Sequence, residues 1–134
     1  LSRDLGFGAD DRREAVLRAA AVARILNDAG LVAIVALVSP LADDRRLARD
    51  VVGAERFVEV HCAATLAACE ARDADGVYAR ARSGEFGPFP GVTSPYEPPE
   101  SPDLRLPTGE IGVEEAVDRV VRLLEVRGDL ASGR

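Results

Sequence analysis

The sequence lacks several kinds of residue, and each absence narrows what the protein can be. It contains no Lys, Met or Trp, and all 17 of its basic residues are Arg, so a phosphate or sulfate group would be met by forked guanidinium groups. The formal net charge of -6 argues against a nucleic-acid partner, because binding a phosphate backbone requires a concentrated cationic surface. An anionic ligand must therefore be met by a local group of arginines.

Cysteine and histidine are also scarce. Cys62 and Cys69 form neither a Cys-x-x-Cys motif nor a disulfide framework, and His61 is the only histidine. These three residues alone cannot complete a tetrahedral metal site. The sequence predicts buried, reduced thiols, no metal site, and a reducing, cytoplasmic compartment.

Long hydrophobic runs are missing as well. The longest, Leu31 to Val38, is far shorter than the roughly 18 residues of a membrane span and stops at Ser39-Pro40. It predicts a strand buried on both faces, as at the centre of a parallel sheet. With 134 residues and 47% hydrophobic composition, the chain has the character of a single globular domain with no membrane partner.

Helical and apolar segments alternate along the chain. The predicted elements are a helix over 10–27, a strand over 31–38, a helix over 41–52, a strand over 57–62, a helix over 64–72, a strand over 104–106 and a helix over 113–126. This alternation predicts an α/β fold, with a parallel sheet covered by helices on both faces. Ligands are then expected at the carboxyl ends of the strands, at Ser39-Pro40 and at 61–64.

The segment from Gly84 to Pro107 differs from the rest of the chain. It holds seven of the eight prolines and few aliphatic residues, which is typical of a long functional loop or lid. The last eight residues, 127–134, are predicted to be a frayed tail.

Six stretches occur in the order and spacing of one kinase family. They are LSRDLGF at 1–7 followed by Asp11-Arg12 and Glu14, ALVSP at 36–40, DRRLAR at 44–49, CEARD at 69–73, GVYARARSGEF at 76–86 and FPGVTSPYEPPESP at 89–102. On these motifs the chain resembles the adenylyl-sulfate (APS) kinases, which have a P-loop kinase fold. The resemblance implies one domain over 1–126, with a lid at about 73–102.

The family resemblance also implies a reaction. APS kinases transfer the γ-phosphoryl group of ATP to the 3′-hydroxyl of APS, which yields PAPS in sulfate assimilation. ATP with Mg²⁺ and APS would be the ligands, and a homodimer or a fusion to sulfate adenylyltransferase would be the expected assembly. Such chemistry depends on positioning and on cationic stabilisation of a transferring group whose charge is spread over its oxygens.

Three residues are assigned to APS by the resemblance. Phe7 and Phe89 would hold the two faces of its adenine, a role that suits aromatic rings, and Arg12 would reach its sulfate or phosphate end. The alternatives are that the two phenylalanines are packed loop anchors and that Arg12 pairs with Asp11 or Glu14.

Five further residues are assigned by the same resemblance. Arg72 and Arg82 would lie over the phosphates and base of ATP, and Thr108 and Gly109 would meet its adenine. Solvated helix arginines and a helix N-cap are the alternatives. Ser39 matches a serine that is a phosphoserine site in some members, or it is a turn residue that ends a strand.

The motif that holds ATP phosphates in P-loop kinases, Gly-x-x-x-x-Gly-Lys-Ser/Thr, does not occur in the 134 residues. A strand that leads into this loop is missing with it. We expect both to precede Leu1 in an active kinase.

Several positions depart from the family pattern. Ala15 and Leu17 replace an Asn and an Arg that would contact APS, while Asp75 and Ala79 replace two lysines of the lid. Arg80, at a position that is usually Lys, offers a longer cationic fork that could compensate. Two hypotheses remain: a divergent active APS kinase, or a catalytically degenerate paralogue that serves as a nucleotide- or partner-binding module.

Overall fold

The computed structural model describes residues 1–130. Its elements are, in chain order, α1 (Ala9–Asp28), α2 (Ala42–Val52), β1 (Val60–Cys62), α3 (Leu66–Ala71), α4 (Val77–Arg82), β2 (Leu104–Leu106) and α5 (Val113–Arg127). They fall into two compact units, the first formed by residues 1–57 and 74–99, the second by residues 58–73 and the chain from residue 100 onward. No helix in residues 1–130 is long and apolar enough to cross a membrane. Of the predicted tail, residues 131–134 lie outside the described residues.

The core of the first unit is the contact between α1 and α2. Val16, Ala20 and Ala23 of α1 pack with Ala48 and Val52 of α2, and each of the five is buried. Three of them are alanines, so the two helix backbones can approach closely. The helices predicted over 10–27 and 41–52 are thus confirmed.

An ion pair between a buried carboxylate and a half-exposed arginine adds to this helix contact. Asp44, in the first turn of α2, is only 3% exposed, and its Oδ1 lies 3.2 Å from Nε of Arg13 on α1. A carboxylate in this position is compensated by the guanidinium and by the positive end of the α2 dipole.

The prediction of a buried strand over 31–38 is wrong for this chain. The segment has no strand hydrogen bonds, and seven of its eight residues are exposed, among them Ile34 at 88% and Val38 at 64%. Its backbone from 32 to 38 makes no hydrogen bond to any described residue. A strand is buried only when other strands flank it, and residues 1–130 supply none beside this segment.

The second unit contains a parallel pair of strands. Val60 is in register with Leu104 and Cys62 with Leu106, and Leu106 is 3% exposed. The pair confirms the predicted parallel sheet and the predicted strand over 104–106. β1 is shorter than the predicted 57–62, and it is half-buried rather than buried. Thr65 caps α3 by accepting a 3.2 Å hydrogen bond from the Ala68 amide on Oγ1, so the helix predicted over 64–72 is also confirmed, although it is shorter.

Two further predictions need correction. Cys62 is an exposed free thiol and Cys69 a half-buried one, because β1 lies at a partly open surface, so the thiols are not buried as expected. The predicted lid contains a helix, α4, that the sequence pattern did not indicate. It begins after Gly76, whose φ of 67° allows the chain to turn into the helix.

Candidate functional site

A closed turn carries Phe89 in the first unit. The Phe89 carbonyl accepts hydrogen bonds from the amides of Val92, Thr93 and Ser94 at 3.1, 2.9 and 3.0 Å, and the Gly91 amide donates to the Ser94 carbonyl at 2.8 Å. The Phe89 amide donates to Oγ1 of Thr93 at 2.9 Å. These bonds close residues 89–94 into a compact turn, which we call the Phe89 turn.

The Phe89 ring lies in an aromatic cluster. It meets Tyr78 of α4 edge to face at 5.7 Å and Phe86 at 6.3 Å, both between ring centroids. Arg80 lies over the Phe86 ring at 4.6 Å and pairs with Glu85 at 3.4 Å. Phe89 is therefore half-buried, as the anchor alternative expected, while the packing fixes where its ring stands.

Arg12 joins the start of α1 to the Phe89 turn. Its NH2 group donates a 2.6 Å hydrogen bond to the Pro88 carbonyl, across 76 residues of sequence. Within residues 1–130 it forms no ion pair with Asp11 or Glu14. Its other N–H groups have no hydrogen-bond partner among those residues. The residue that it binds, Pro88, directly precedes Phe89 in the chain. The structure thus brings together two of the residues that the resemblance assigned to APS.

Phe7 and Arg82 lie in the same unit. Phe7 precedes α1 with 74% of its surface exposed and no ring partner within residues 1–130, so it is not a packed anchor. Arg82 is the exposed last residue of α4.

Ser39 has an unusual backbone. Its φ of 39° is in the left-handed region, which a residue other than glycine seldom adopts. Its carbonyl accepts a 2.8 Å hydrogen bond from NH1 of Arg45, and Pro40 after it is buried. Ser39 does not end a strand, because residues 31–38 are not in a strand.

The second unit groups Arg72, Thr108 and Gly109. Arg72 donates from NH1 to the Thr108 carbonyl at 2.7 Å and from NH2 to the Gly109 carbonyl at 3.3 Å. A Cβ atom on Gly109 would lie 3.4 Å from Cβ of Ala68, so this loop lies close against α3. Arg72 is exposed, and its guanidinium binds the backbone of the two residues that the resemblance assigned to the nucleotide adenine.

The segment before α1 is held by a network that the sequence did not indicate. Arg18 donates to both Asp4 carboxylate oxygens, at 2.7 and 2.9 Å, to Oε1 of Glu14 at 2.8 Å and to the Leu1 carbonyl at 3.0 Å. The hydrogen bond from Arg18 lowers the pKa of Asp4 below its ordinary value of 3.8 and raises the pKa of Arg18. The network fixes the stretch that contains Phe7.

The Asp4 pair predicts a pH-dependent contribution to stability. Because the folded pKa of Asp4 is below the unfolded value, the contribution is present above that value and is lost as the pH falls through the folded pKa. We expect Asp4→Asn to lower the Tm at about pH 7 and the difference from wild type to vanish towards about pH 2. Thermal unfolding of both proteins across this range, at low salt, measures the effect. A difference that does not change with pH would contradict it.

Among residues 1–130 there is no cluster of three or more His, Cys, Asp or Glu side chains that could hold a metal ion.

Comparison with known proteins adds the family. A profile of the adenylylsulphate kinase family matches residues 1–107. An adenylyl-sulfate kinase of Prochlorococcus marinus is 45% identical over 127 residues, which cover 94% of this chain and 63% of the relative. A bifunctional enzyme CysN/CysC of Xylella fastidiosa is 47% identical over 128 residues, which cover 96% of this chain and 20% of that enzyme. The chain thus spans somewhat less than two thirds of the Prochlorococcus protein.

A solved structure is similar in fold as well. The Mycobacterium tuberculosis APS kinase CysC, in complex with AMPPNP and APS, superposes with a TM-score of 0.84 at 45% identity, covering 91% of this chain and 71% of that one. This likeness confirms the predicted α/β fold class even though residues 31–38 are not paired here. The chain belongs to the adenylylsulphate kinase family.

Proposed function

We propose that this chain belongs to an active APS kinase, in which the 3′-hydroxyl oxygen of APS attacks the γ-phosphorus of ATP. The bond from that phosphorus to the β,γ-bridging oxygen breaks, the hydroxyl proton is released, and the products are PAPS and ADP. The observation that carries the proposal is the hydrogen bond from Arg12 to the Pro88 carbonyl. It places a guanidinium with unused donors beside the Phe89 turn, as the binding of an anionic nucleotide requires.

In this proposal the first unit binds APS. The rings of Phe7 and Phe89 stack on the adenine, and Arg12 donates to the sulfate or phosphate oxygens. Phe89 is held by Tyr78 and Phe86, so little conformational entropy is lost when the base arrives.

ATP would be bound by other residues. Within the second unit, Arg72 would act by holding Thr108 and Gly109 for the ATP adenine. Mg²⁺ would neutralise charge on the ATP phosphates, but residues 1–130 contain no acidic cluster that fits this ion, and we assign it no ligand here.

The test of the proposal is Phe89→Ala in the protein as its gene encodes it. Loss of one base-aromatic stack should weaken APS binding by about 1 to 3 kcal/mol and leave ATP binding nearly unchanged. Titration of each nucleotide at fixed Mg²⁺ and salt measures both affinities. Equal losses for the two ligands would mean a general collapse of the segment.

Phe89→Leu is the matched variant, because leucine keeps the apolar contact with Tyr78 and Phe86 but has no aromatic face. It should be nearly as defective towards APS as alanine if Phe89 stacks on the base. Full activity of the leucine variant would show that Phe89 is only an anchor. A wild-type protein that binds adenine nucleotides without phosphoryl transfer would favour the degenerate paralogue.

A further inference from the structure

A second contact restrains the chain on the C-terminal side of the Phe89 turn, at Glu97, and we call it the Glu97 joint. Glu97 is bonded to the start of α2 through three of its groups. Its amide donates to the Pro40 carbonyl at 2.8 Å, its carbonyl accepts from NH2 of Arg45 at 2.7 Å, and its Oε2 accepts from the Ala42 amide at 2.7 Å. These residues are separated by more than 50 positions in the chain, so the contact is tertiary.

Arg45 is the centre of this joint. The same guanidinium that donates to Glu97 donates from NH1 to the Ser39 carbonyl at 2.8 Å. It therefore fixes two backbones at once, and one of them is the left-handed Ser39. Two carbonyls held by the two arms of one planar group are an arrangement that a lysine ammonium does not reproduce.

The joint is connected to Phe89 by a short and stiff piece of chain. The Phe89 turn closes at Ser94, and only Pro95 and Tyr96 separate it from Glu97. Proline fixes φ, which leaves few ways for the turn to move while Glu97 is held. Arg12 at Pro88 and Arg45 at Glu97 thus restrain the turn from both sides.

We propose that Arg45 is a positioning residue for the nucleotide substrate bound by Phe89: it holds the backbones at Ser39 and Glu97 together, so that the Phe89 ring stands where the adenine binds. The substrate half of this inference rests on the proposed function. Arg45 itself touches no reacting atom. Its removal should loosen the Phe89 turn and weaken APS selectively, because the Ser39 and Glu97 carbonyls that it holds belong to no residue assigned to ATP.

The experiment compares Arg45→Ala, Arg45→Lys and the control Arg46→Ala. Arg46 is the next residue of α2, and its side chain is 65% exposed and pairs only with Asp43, at 3.0 Å, within residues 1–130. We expect Arg45→Ala to raise the KM for APS about tenfold and the KM for ATP less than about twofold, and Arg46→Ala to change neither. Arg45→Lys should fall between wild type and alanine, and it keeps the proposal testable if the alanine variant does not fold. Equal changes for both substrates, or none for APS, would overturn the positioning role.

Amide hydrogen exchange provides a readout that needs no substrate. In Arg45→Ala and Arg45→Lys the Glu97 amide and the amides of the Phe89 turn should exchange at least about tenfold faster than in wild type, while those of α1 stay unchanged. An unchanged exchange rate of the Glu97 amide would overturn the claim that Arg45 holds this segment. If wild type binds no APS, the proposed function fails and the substrate half fails with it, and exchange alone then decides whether Arg45 holds this segment.

Discussion

Ala20→Asp should destabilise the first unit by more than about 3 kcal/mol, since it places an unpaired carboxylate in the contact between α1 and α2. Ala20 is 5% exposed and packs in the same cluster as Ala48 and Val52. The two helices approach each other closely in this cluster, so water cannot enter to solvate the charge. Urea denaturation followed by circular dichroism measures the loss as a lower midpoint.

Ala21→Asp is the matched control, because Ala21 is the next residue of the same helix and is exposed. It should cost less than about 1 kcal/mol, which is the difference in helix propensity between the two residue types. Similar losses from both substitutions would mean that α1 does not bury the Ala20 face. Ala20→Ser, a milder change, gives a measurable midpoint if the aspartate variant fails to fold.

Arg12→Ala should weaken APS binding by about 2 to 4 kcal/mol, or roughly 30- to 1000-fold, if the proposed function is right. The expected effect exceeds that of Phe89→Ala for two reasons. The variant loses a charge-assisted hydrogen bond to the anion, and it also loses the 2.6 Å bond that ties Pro88 to α1. Isothermal titration with APS and with ATP measures both affinities.

Arg12→Lys separates these two contributions. A lysine keeps the charge for the anion but cannot donate to the anion and to Pro88 as a planar fork, so it should restore only part of the affinity. Raising the salt concentration should weaken APS binding in wild type more than in the alanine variant. A loss of ATP affinity as large as the loss for APS would contradict the assignment of Arg12.

The helices α1, α2, α3 and α5 could be predicted from the sequence because their signals are local. α2 and α5 begin and end within one residue of the expected positions, since the period of apolar residues and the glycines that follow each helix lie within the segment itself. β2 was placed at Leu104 to Leu106 for a similar reason. Residues 31–38 were misjudged because burial of a strand depends on its neighbours, which no local pattern specifies.

The site was only partly predictable. Family motifs named Arg12 and Phe89, but no pattern indicated that Arg12 bonds to the residue before Phe89. Arg45 and Glu97 lie within two of those motifs, but no pattern indicated that they bind each other, because a hydrogen bond across 52 residues produces no periodicity in the sequence. The resemblance assigned Arg72 to the phosphates and base of ATP, but it did not indicate that Arg72 donates to the carbonyls of Thr108 and Gly109.

The exposed segment from Leu31 to Val38 has a consequence for the chain in solution. Its eight residues are apolar, with no charge and no proline, and its backbone from 32 to 38 makes no hydrogen bond to any described residue. Segments of this composition assemble into intermolecular sheets. We expect such segments of two copies to pair through their amides and carbonyls at high concentration, and we expect the net charge of -6 to oppose this association.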